Sequence, residues 1–126
     1  MPQYVLVLDA HAMDDFADED MPDIGRAAHA VCQEAIDAGV WVCGSGLEAQ
    51  RASIVAADGS VTEGPQVTVG GLTVIEVPSR EEAHRWAAKW ATACRSDQEV
   101  WELGLDPQID AMLREAAHRG RRPGDA

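Results

Sequence analysis

Residues 4–8, YVLVL, form an unbroken apolar run that is too short for an ordinary helix and is typical of a buried strand. Side chains alternate between the two faces of a strand, so both faces of this one are apolar. Three side chains point to one side and two to the other: Tyr4, Leu6 and Leu8 against Val5 and Val7. The fold must therefore provide an apolar layer on each side of the sheet that contains this strand.

Two segments have the periodicity of amphipathic helices. The first has an apolar face, formed by Ile24, Ala27, Ala28, Val31, Ala35 and Ala38. Asp20 or Asp23 can cap its start, and Gly39 is expected to end it. In the second, Ser79 and Glu82 form a capping box ahead of an apolar face made of Ala83, Trp86, Ala87, Trp90 and Cys94.

The glycine-rich stretch 44–65 lies between strand-like runs at 40–43 and 72–77. Asp58-Gly59, flanked by 52–57 and 60–63, predicts a hairpin with a two-residue turn in which both residues take positive φ. The stretch therefore indicates a hairpin inserted between strands of the main sheet. A further strand is predicted at 98–105, and Asp106-Pro107 begins a last helix that extends to about His118.

This order of elements predicts an α+β fold, a ferredoxin-like βαββαβ unit with an inserted hairpin and a C-terminal helix. Residues 1–106 would form the domain, 107–119 a helical extension, and 120–126 a disordered tail. Two helices cover one face of such a sheet. A second subunit packed sheet to sheet would cover the other, and the terminal helix is an alternative cover for part of it.

Charge and composition narrow the classes of partner. The net charge of −12 disfavours nucleic acid, whose phosphates require a basic surface. No apolar run approaches the roughly 20 residues of a membrane helix, and the first residues lack the pattern of a signal peptide, so we expect a cytoplasmic protein. The three cysteines, Cys32, Cys43 and Cys94, are predicted to be reduced core residues.

The segment 9–23 is strongly acidic, with five carboxylates within 14–20. We interpret it as a solvated, mobile loop. Binding of a divalent cation by 14–20 is the alternative, although the spacing is not that of a glycine-centred calcium loop. We therefore predict no metal site.

A series of segments spanning about 4–105 resembles the YCII-related family, and most of all the branch named for its DGPF motif. In order, the segments are YVLVLDA, a helix carrying His29, AGVWVCGSGL, VAADGSVTEGP, GGLTVIEV and SREEAHRWA. The ordered series, and no single motif, carries the resemblance. The DGPF tetrapeptide is replaced by EGPQ at 63–66, and the usual GEGL by GSGL at 44–47.

The resemblance implies a dimeric α/β barrel built from ferredoxin-like protomers. A histidine–aspartate pair has been proposed as the active centre of that family, and a dehydrochlorinase-type lyase lies among its relatives. Its helix histidine matches His29 and its strand-end aspartate matches Asp9. The implied protein is a small-molecule enzyme that needs no cofactor.

The residues themselves allow this pair, and the resemblance supplies the pairing. His29 lies about 140° around its helix from Ile24, outside the apolar stripe, and an imidazole exchanges protons near neutral pH. A surface histidine without a role is the alternative. Asp37 lies about 12 Å further along the helix, too far for a direct hydrogen bond. Asp9 ends the first strand and is the better partner for holding the imidazole in one tautomer, unless it merely belongs to the acidic loop.

Three more residues are candidates for binding a substrate. Ser45, between two glycines, could donate a hydrogen bond, and Glu63 could face the same cleft, although turn formation alone explains both. Trp41 could line the cleft or a dimer seam. Trp86 and Trp90 are predicted core residues. The other histidines are His11, which could approach Asp9, and His84 and His118, which are expected to be solvated.

Two functions follow from these candidates. In the first, the protein is a lyase or isomerase in which His29 moves a proton and Asp9 orients it. In the second, it is a non-catalytic module that binds a small ligand or another protein. A cleft joining Asp9 and His29 would favour the enzyme, and a filled interior would favour the module.

Overall fold

The computed structural model describes residues 1–120 and has an α+β architecture. A single 3-10 turn, Asp18–Asp20, precedes the first helix. The strands are β1 (Gln3–Asp9), β2 (Trp41–Gly46), β3 (Arg51–Val55), β4 (Val61–Gln66), β5 (Val69–Glu76) and β6 (Glu99–Glu102). The helices are α1 (Met21–Asp37), α2 (Arg80–Cys94) and α3 (Pro107–His118). The last strand is therefore shorter than predicted, and the predicted tail lies outside the described residues except for Gly120.

Four strands form the main sheet in the order β2-β5-β1-β6, and each neighbouring pair is antiparallel. Leu6 of β1 lies opposite Thr73 of β5 and Val100 of β6, which fixes the register. The sheet is open, with β2 and β6 as its edges. α1 connects β1 to β2, and α2 connects β5 to β6, so both helices link strands of this one sheet. Both helices pack against the same core, on one face of the sheet.

The core fills the space between that face and the two helices. Leu6 and Ile75 from the central strands are at most 1% exposed, and they pack with Ala35 of α1 and Ala83 of α2. Alanine at these helix positions lets the helices approach the sheet closely. Lys89 of α2 donates to the Glu34 carboxylate of α1 at 2.5 Å, which ties the helices together on the solvent side.

The predicted end of α1 and the Ser79 cap of α2 are confirmed, but the predicted side-chain cap of α1 is wrong, because Asp20 occupies the N-cap position and its side chain makes no capping hydrogen bond. At the end of α1 the Gly39 N–H donates to the Ile36 carbonyl and the Val40 N–H to the Ala35 carbonyl, the two bonds of a Schellman motif. Gly39 has φ +74°, which other residues rarely adopt. At the start of α2 the Ser79 hydroxyl accepts from the Glu82 N–H at 3.2 Å.

The inserted hairpin is confirmed, but its predicted two-residue turn is wrong. Ala56 N–H donates to the Ser60 carbonyl, and Gly59 N–H donates to the Ala56 carbonyl, so the loop has three residues. Gly59 has φ +88°, and Asp58 does not have a positive φ. This is the pattern of a type I turn followed by a glycine bulge. Strands β3 and β4 form a separate two-stranded sheet.

The second face of the main sheet carries Val5, Val74 and Trp101 in register. Trp101 is 47% exposed, and Val5 and Val74 are partly exposed, so this face is not fully covered within residues 1–120. The terminal helix does not cover it, because none of its residues is buried. Cys43 lies opposite Val74 and is exposed, so the prediction that it is a core residue is wrong.

None of the helices within the described residues combines the length and the apolar character that crossing a bilayer requires.

Candidate functional site

A cleft of about 590 Å³ opens where β1 ends, between the sheet and the two packed helices. Its sheet side is formed by β2 and β5 and its helix side by α1 and α2. The walls are mainly apolar, with Leu8, Met13, Trp41 and Trp90 among them. This volume is in the range of sites that hold small organic molecules.

The cleft exists because glycines replace side chains on the helix-facing side of the sheet. Gly44 and Gly46 of β2 lie opposite Thr73 and Gly71 of β5. A Cβ atom on Gly44 would lie 2.8 Å from the Leu72 carbonyl oxygen, so a larger residue would force the strands to move. The sequence pattern assigns these glycines to the stretch that forms the inserted hairpin, whereas the register places them in β2, at the floor of the cleft.

Asp9 lies at the mouth of the cleft, where the pairing of β1 with β5 shifts register. Its carboxylate oxygen Oδ1 accepts the His11 N–H at 2.8 Å, and the Ala10 N–H donates to the Thr68 carbonyl at 2.8 Å. These two bonds fix the backbone at the end of the strand. The side chain is exposed, and its second oxygen can accept a hydrogen bond from a ligand.

His29 lies on α1 and lines the same cleft together with Ala28 and Cys32. Its side chain is exposed. Among the described residues, no hydrogen bond or ion pair joins His29 to Asp9. The two side chains therefore share a cleft without direct contact, and a ligand between them could interact with both.

Trp41 and Ser45 of β2 also line the cleft. Trp41 forms part of the inner wall, where its ring approaches Trp90 of α2. Ser45 pairs with Leu72, on the opposite side of the sheet from Gly44 and Gly46. The alternation of side chains therefore directs the Ser45 hydroxyl to the open face, and its backbone borders the cleft.

Glu63 is not among the lining residues of the cleft, so the structure does not bring it together with the other four candidates. It lies on β4, and its carboxylate pairs with Arg51 Nε at 2.8 Å. Both side chains are more than half exposed. The hairpin forms its own sheet, which explains why proximity in the sequence to the glycine-rich floor did not place Glu63 in the cleft.

Two thiols, Cys32 and Cys94, lie at the helix side of the cleft. Burial raises the pKa of Cys94, and the neighbouring Cys32 raises it further. The Cys94 thiol is therefore protonated at neutral pH, when it is a weak nucleophile. The sequence indicated only a core role for these cysteines, because helical spacing does not show that a core face borders a cavity.

The remaining histidines lie outside this cleft. His11 Nδ1 is 2.7 Å from the Asp14 carboxylate in the acidic segment, and His84 and His118 are exposed on α2 and α3. His11 does approach Asp9, through its backbone N–H. Within residues 1–120, no three His, Cys, Asp or Glu side chains are arranged to hold a metal ion.

A scan against protein-family models found no match for this chain, and a search of curated proteins found none. The resemblance to the YCII-related family thus rests on the segments quoted above.

Proposed function

We propose that this chain is a YCII-related protein that works as a homodimer and catalyses proton transfer on a small organic molecule, without a cofactor. The observation that carries the proposal is the cleft that His29, Asp9 and Trp41 line together. It combines an apolar enclosure with one group able to accept a proton and one carboxylate. The reaction type is elimination or isomerisation.

The arrangement of the chain supports a ferredoxin-like protomer. The strand order β2-β5-β1-β6, with α1 and α2 on one face, is the order expected when each βαβ half contributes one central and one edge strand. The open face, with Val5, Val74 and Trp101, supports packing against the same face of a second copy. Such a pair of sheets is the dimeric α/β barrel that the resemblance implies.

The chemistry follows from the character of the cleft. A neutral ring nitrogen of His29 takes a proton from a carbon atom of the substrate, and the electrons of the broken C–H bond form a new double bond. In elimination the leaving group departs with its electron pair. In isomerisation the imidazolium returns the proton to another carbon. Asp9, across the cleft, stabilises the imidazolium by its negative charge and positions a polar group of the substrate.

The walls define the kind of substrate. Trp41, Trp90 and Leu8 favour an uncharged, largely apolar body. The polar groups lie at the mouth, near Asp9 and His29, so the acidic C–H bond of the substrate should lie at its polar end. We expect small cyclic or unsaturated molecules with one carbonyl group to fit these requirements.

Proton abstraction can be tested without knowing the product. Candidate molecules are incubated with the protein in D2O, and mass spectrometry follows both the incorporation of deuterium at carbon and the loss of the starting molecule, because an elimination removes the proton without placing deuterium on carbon. His29→Asn should abolish both. His84→Asn is the matched control, because His84 is an exposed histidine outside the cleft, and it should retain full exchange. Equal exchange by both variants would remove the catalytic role of His29.

The second candidate function is a binding module without chemistry, and the lack of contact between Asp9 and His29 favours it. Such a module would bind molecules of the same class, detected as a rise in the melting temperature. It would show neither exchange in D2O nor loss of the starting molecule with any of them. The melting temperature and the D2O experiment, both carried out with the same ligand, therefore distinguish the two functions.

Cytoplasmic location is part of the proposal. All three cysteines are free, which is compatible with a reducing compartment. Fractionation of cells that express the chain with an internal epitope tag tests it.

A further inference from the structure

Two thiols border the cleft, and the proton-transfer chemistry proposed above uses neither of them. Cys32 of α1 and Cys94, the last residue of α2, both line the cleft, and both are free. Cys94 is 6% exposed, whereas Cys32 is only partly buried against the core. The helix side of the cleft therefore contains two sulfur atoms that differ in their access to solvent.

The packing of the two helices brings these thiols to one wall. Lys89 of α2 pairs with Glu34 near the end of α1, and the Arg95 guanidinium, just after α2, lies 3.8 Å from the Asp20 carboxylate, just before α1. The helices are therefore antiparallel. The turn of each helix that carries its cysteine borders the same cleft, so the two thiols approach each other from opposite helices.

Electrostatics also indicates that the two sulfur atoms are neighbours. Burial raises the pKa of the Cys94 thiol, and the charge of Cys32 raises it further. A charge on one thiol opposes ionisation of another only over a short distance. Cys94 is thus a protonated thiol at neutral pH, whereas Cys32 is accessible to small solutes that enter the cleft. Cys32 should therefore react first with an oxidant, and Cys94 second.

We propose that Cys32 and Cys94 form an oxidation site, at which a small peroxide converts the two thiols into an intramolecular disulfide. With hydrogen peroxide, the Cys32 sulfur attacks one oxygen atom, the O–O bond breaks, and a sulfenic acid and water form. The Cys94 sulfur then displaces the oxygen of the sulfenic acid, which forms the S–S bond and releases a second water molecule. The thiols lose two protons and two electrons, and the peroxide gains them.

The disulfide would cross-link α1 to α2 at the wall of the cleft. A disulfide holds the two Cα atoms about 4.4–6.8 Å apart, so it would fix the spacing of the two turns. His29 lies one turn before Cys32, and Trp90 lies one turn before Cys94. Oxidation would therefore act on the helix that carries the proposed base and on the aromatic wall of the cleft.

Mass spectrometry of the full-length chain tests the oxidation site. Cys43→Ser is the parent protein, because it removes the exposed third thiol and with it disulfides between chains. We expect hydrogen peroxide to lower the mass of this parent by two hydrogen atoms. Trypsin without a reductant should then release peptide 27–51 joined to peptide 90–95. Dithiothreitol should restore the original mass.

Two variants of this parent are the matched controls. Cys32→Ser and Cys94→Ala each leave one thiol of the pair, and neither should form the linked peptide. Cys94→Ala should give at least tenfold more dimedone adduct on Cys32 than the parent does, because the parent converts the sulfenic acid into the disulfide. Circular dichroism checks that both variants are folded.

Two outcomes would overturn the proposal. In one, excess peroxide leaves both thiols of the parent free to react with iodoacetamide. In the other, peroxide converts Cys32 to the sulfinic acid while Cys94 stays free, which would show that the two sulfur atoms cannot meet. None of these measurements requires a substrate, so they test the oxidation site independently of the proton-transfer reaction proposed above.

Discussion

The indole rings of Trp41 and Trp90 lie with their centroids 6.3 Å apart and their planes tilted by 43°. Trp41 belongs to the edge strand β2 and Trp90 to α2, so this contact joins the edge of the sheet to the helix layer. Both rings also line the cleft. The core and the candidate site therefore share one wall, and a change in its packing should affect both.

We expect Trp90→Ala to lower the free energy of unfolding by about 3–5 kcal/mol, because Trp90 is only 4% exposed and its removal leaves a cavity. Trp86→Ala is the matched control on the same helix. Trp86 is only partly buried, with the Lys89 ammonium 5.4 Å from its ring centroid. Trp86→Ala should therefore lower the free energy of unfolding by less than Trp90→Ala does. Urea denaturation at one protein concentration measures both, and a larger loss for Trp86→Ala would contradict the packing described here.

Two glycines of the first helical region should respond in opposite directions to the same substitution. A Cβ atom at Gly25 or at Gly39 meets nothing within 4 Å, so backbone conformation alone distinguishes them. Gly25 lies within α1, and Gly25→Ala should stabilise the protein by about 0.5–1 kcal/mol. Gly39 has φ +74°, and Gly39→Ala should destabilise it by about 1–2 kcal/mol. Thermal unfolding of both variants measures the difference, and effects of the same sign would be inconsistent with the Schellman ending of α1.

The carboxylate of Asp58, in the hairpin turn, should make a pH-dependent contribution to the stability of the fold. The Ser60 hydroxyl and the Ser60 N–H donate to Asp58 Oδ1 at 2.7 and 2.9 Å, and they lower the pKa of Asp58 below its ordinary value of 3.8. The stabilising effect is therefore present above that value and is lost as the pH falls through the lower, folded-state pKa.

An NMR titration of the Asp58 carboxyl carbon tests this effect. Ser60→Ala removes the hydroxyl bond, which lowers the pKa of Asp58 the most, so that pKa should rise towards its ordinary value. Thr62→Val, in the same hairpin, should leave the titration unchanged. Identical titrations in the wild-type and Ser60→Ala proteins would show that the hydroxyl bond does not form in solution.

The three thiols should differ in their reaction with iodoacetamide at pH 8. Cys94 should react last, because burial raises its pKa above the ordinary value of 9.0 and removes it from solvent. The stability that the neutral Cys94 thiol contributes is fully present below that value and is lost as the pH rises through the folded-state pKa.

Cys43 lies on the open face of the sheet and is exposed in the single chain. It should react fast at low protein concentration, and more slowly as the proposed dimer forms. Peptide mass spectrometry at several protein concentrations gives the rates, and Cys43→Ser identifies the fast phase. A Cys43 rate independent of concentration, in a sample that is dimeric by sedimentation, would place the dimer contact elsewhere.

Local patterns in the sequence determined the elements and most of their ends. Ser79 is recognisable as the start of α2 and Gly39 as the end of α1, because a cap or a positive φ depends on only a few neighbouring residues. The prediction of α3 at Pro107–His118 succeeded for the same reason. The two-sided apolar character of β1 predicted that both faces of the sheet need an apolar layer, and Val5 lies partly exposed on the face that no described helix covers.

Tertiary structure alone decided how these elements meet. The register of β2 and β5 turned glycines at 44, 46 and 71 into the floor of a cleft, and the separate sheet of β3 and β4 kept Glu63 out of it. The register also placed Cys43 on the exposed face. These outcomes depend on contacts between residues far apart in the chain, whose energies are summed over the whole fold, so no local pattern contains them.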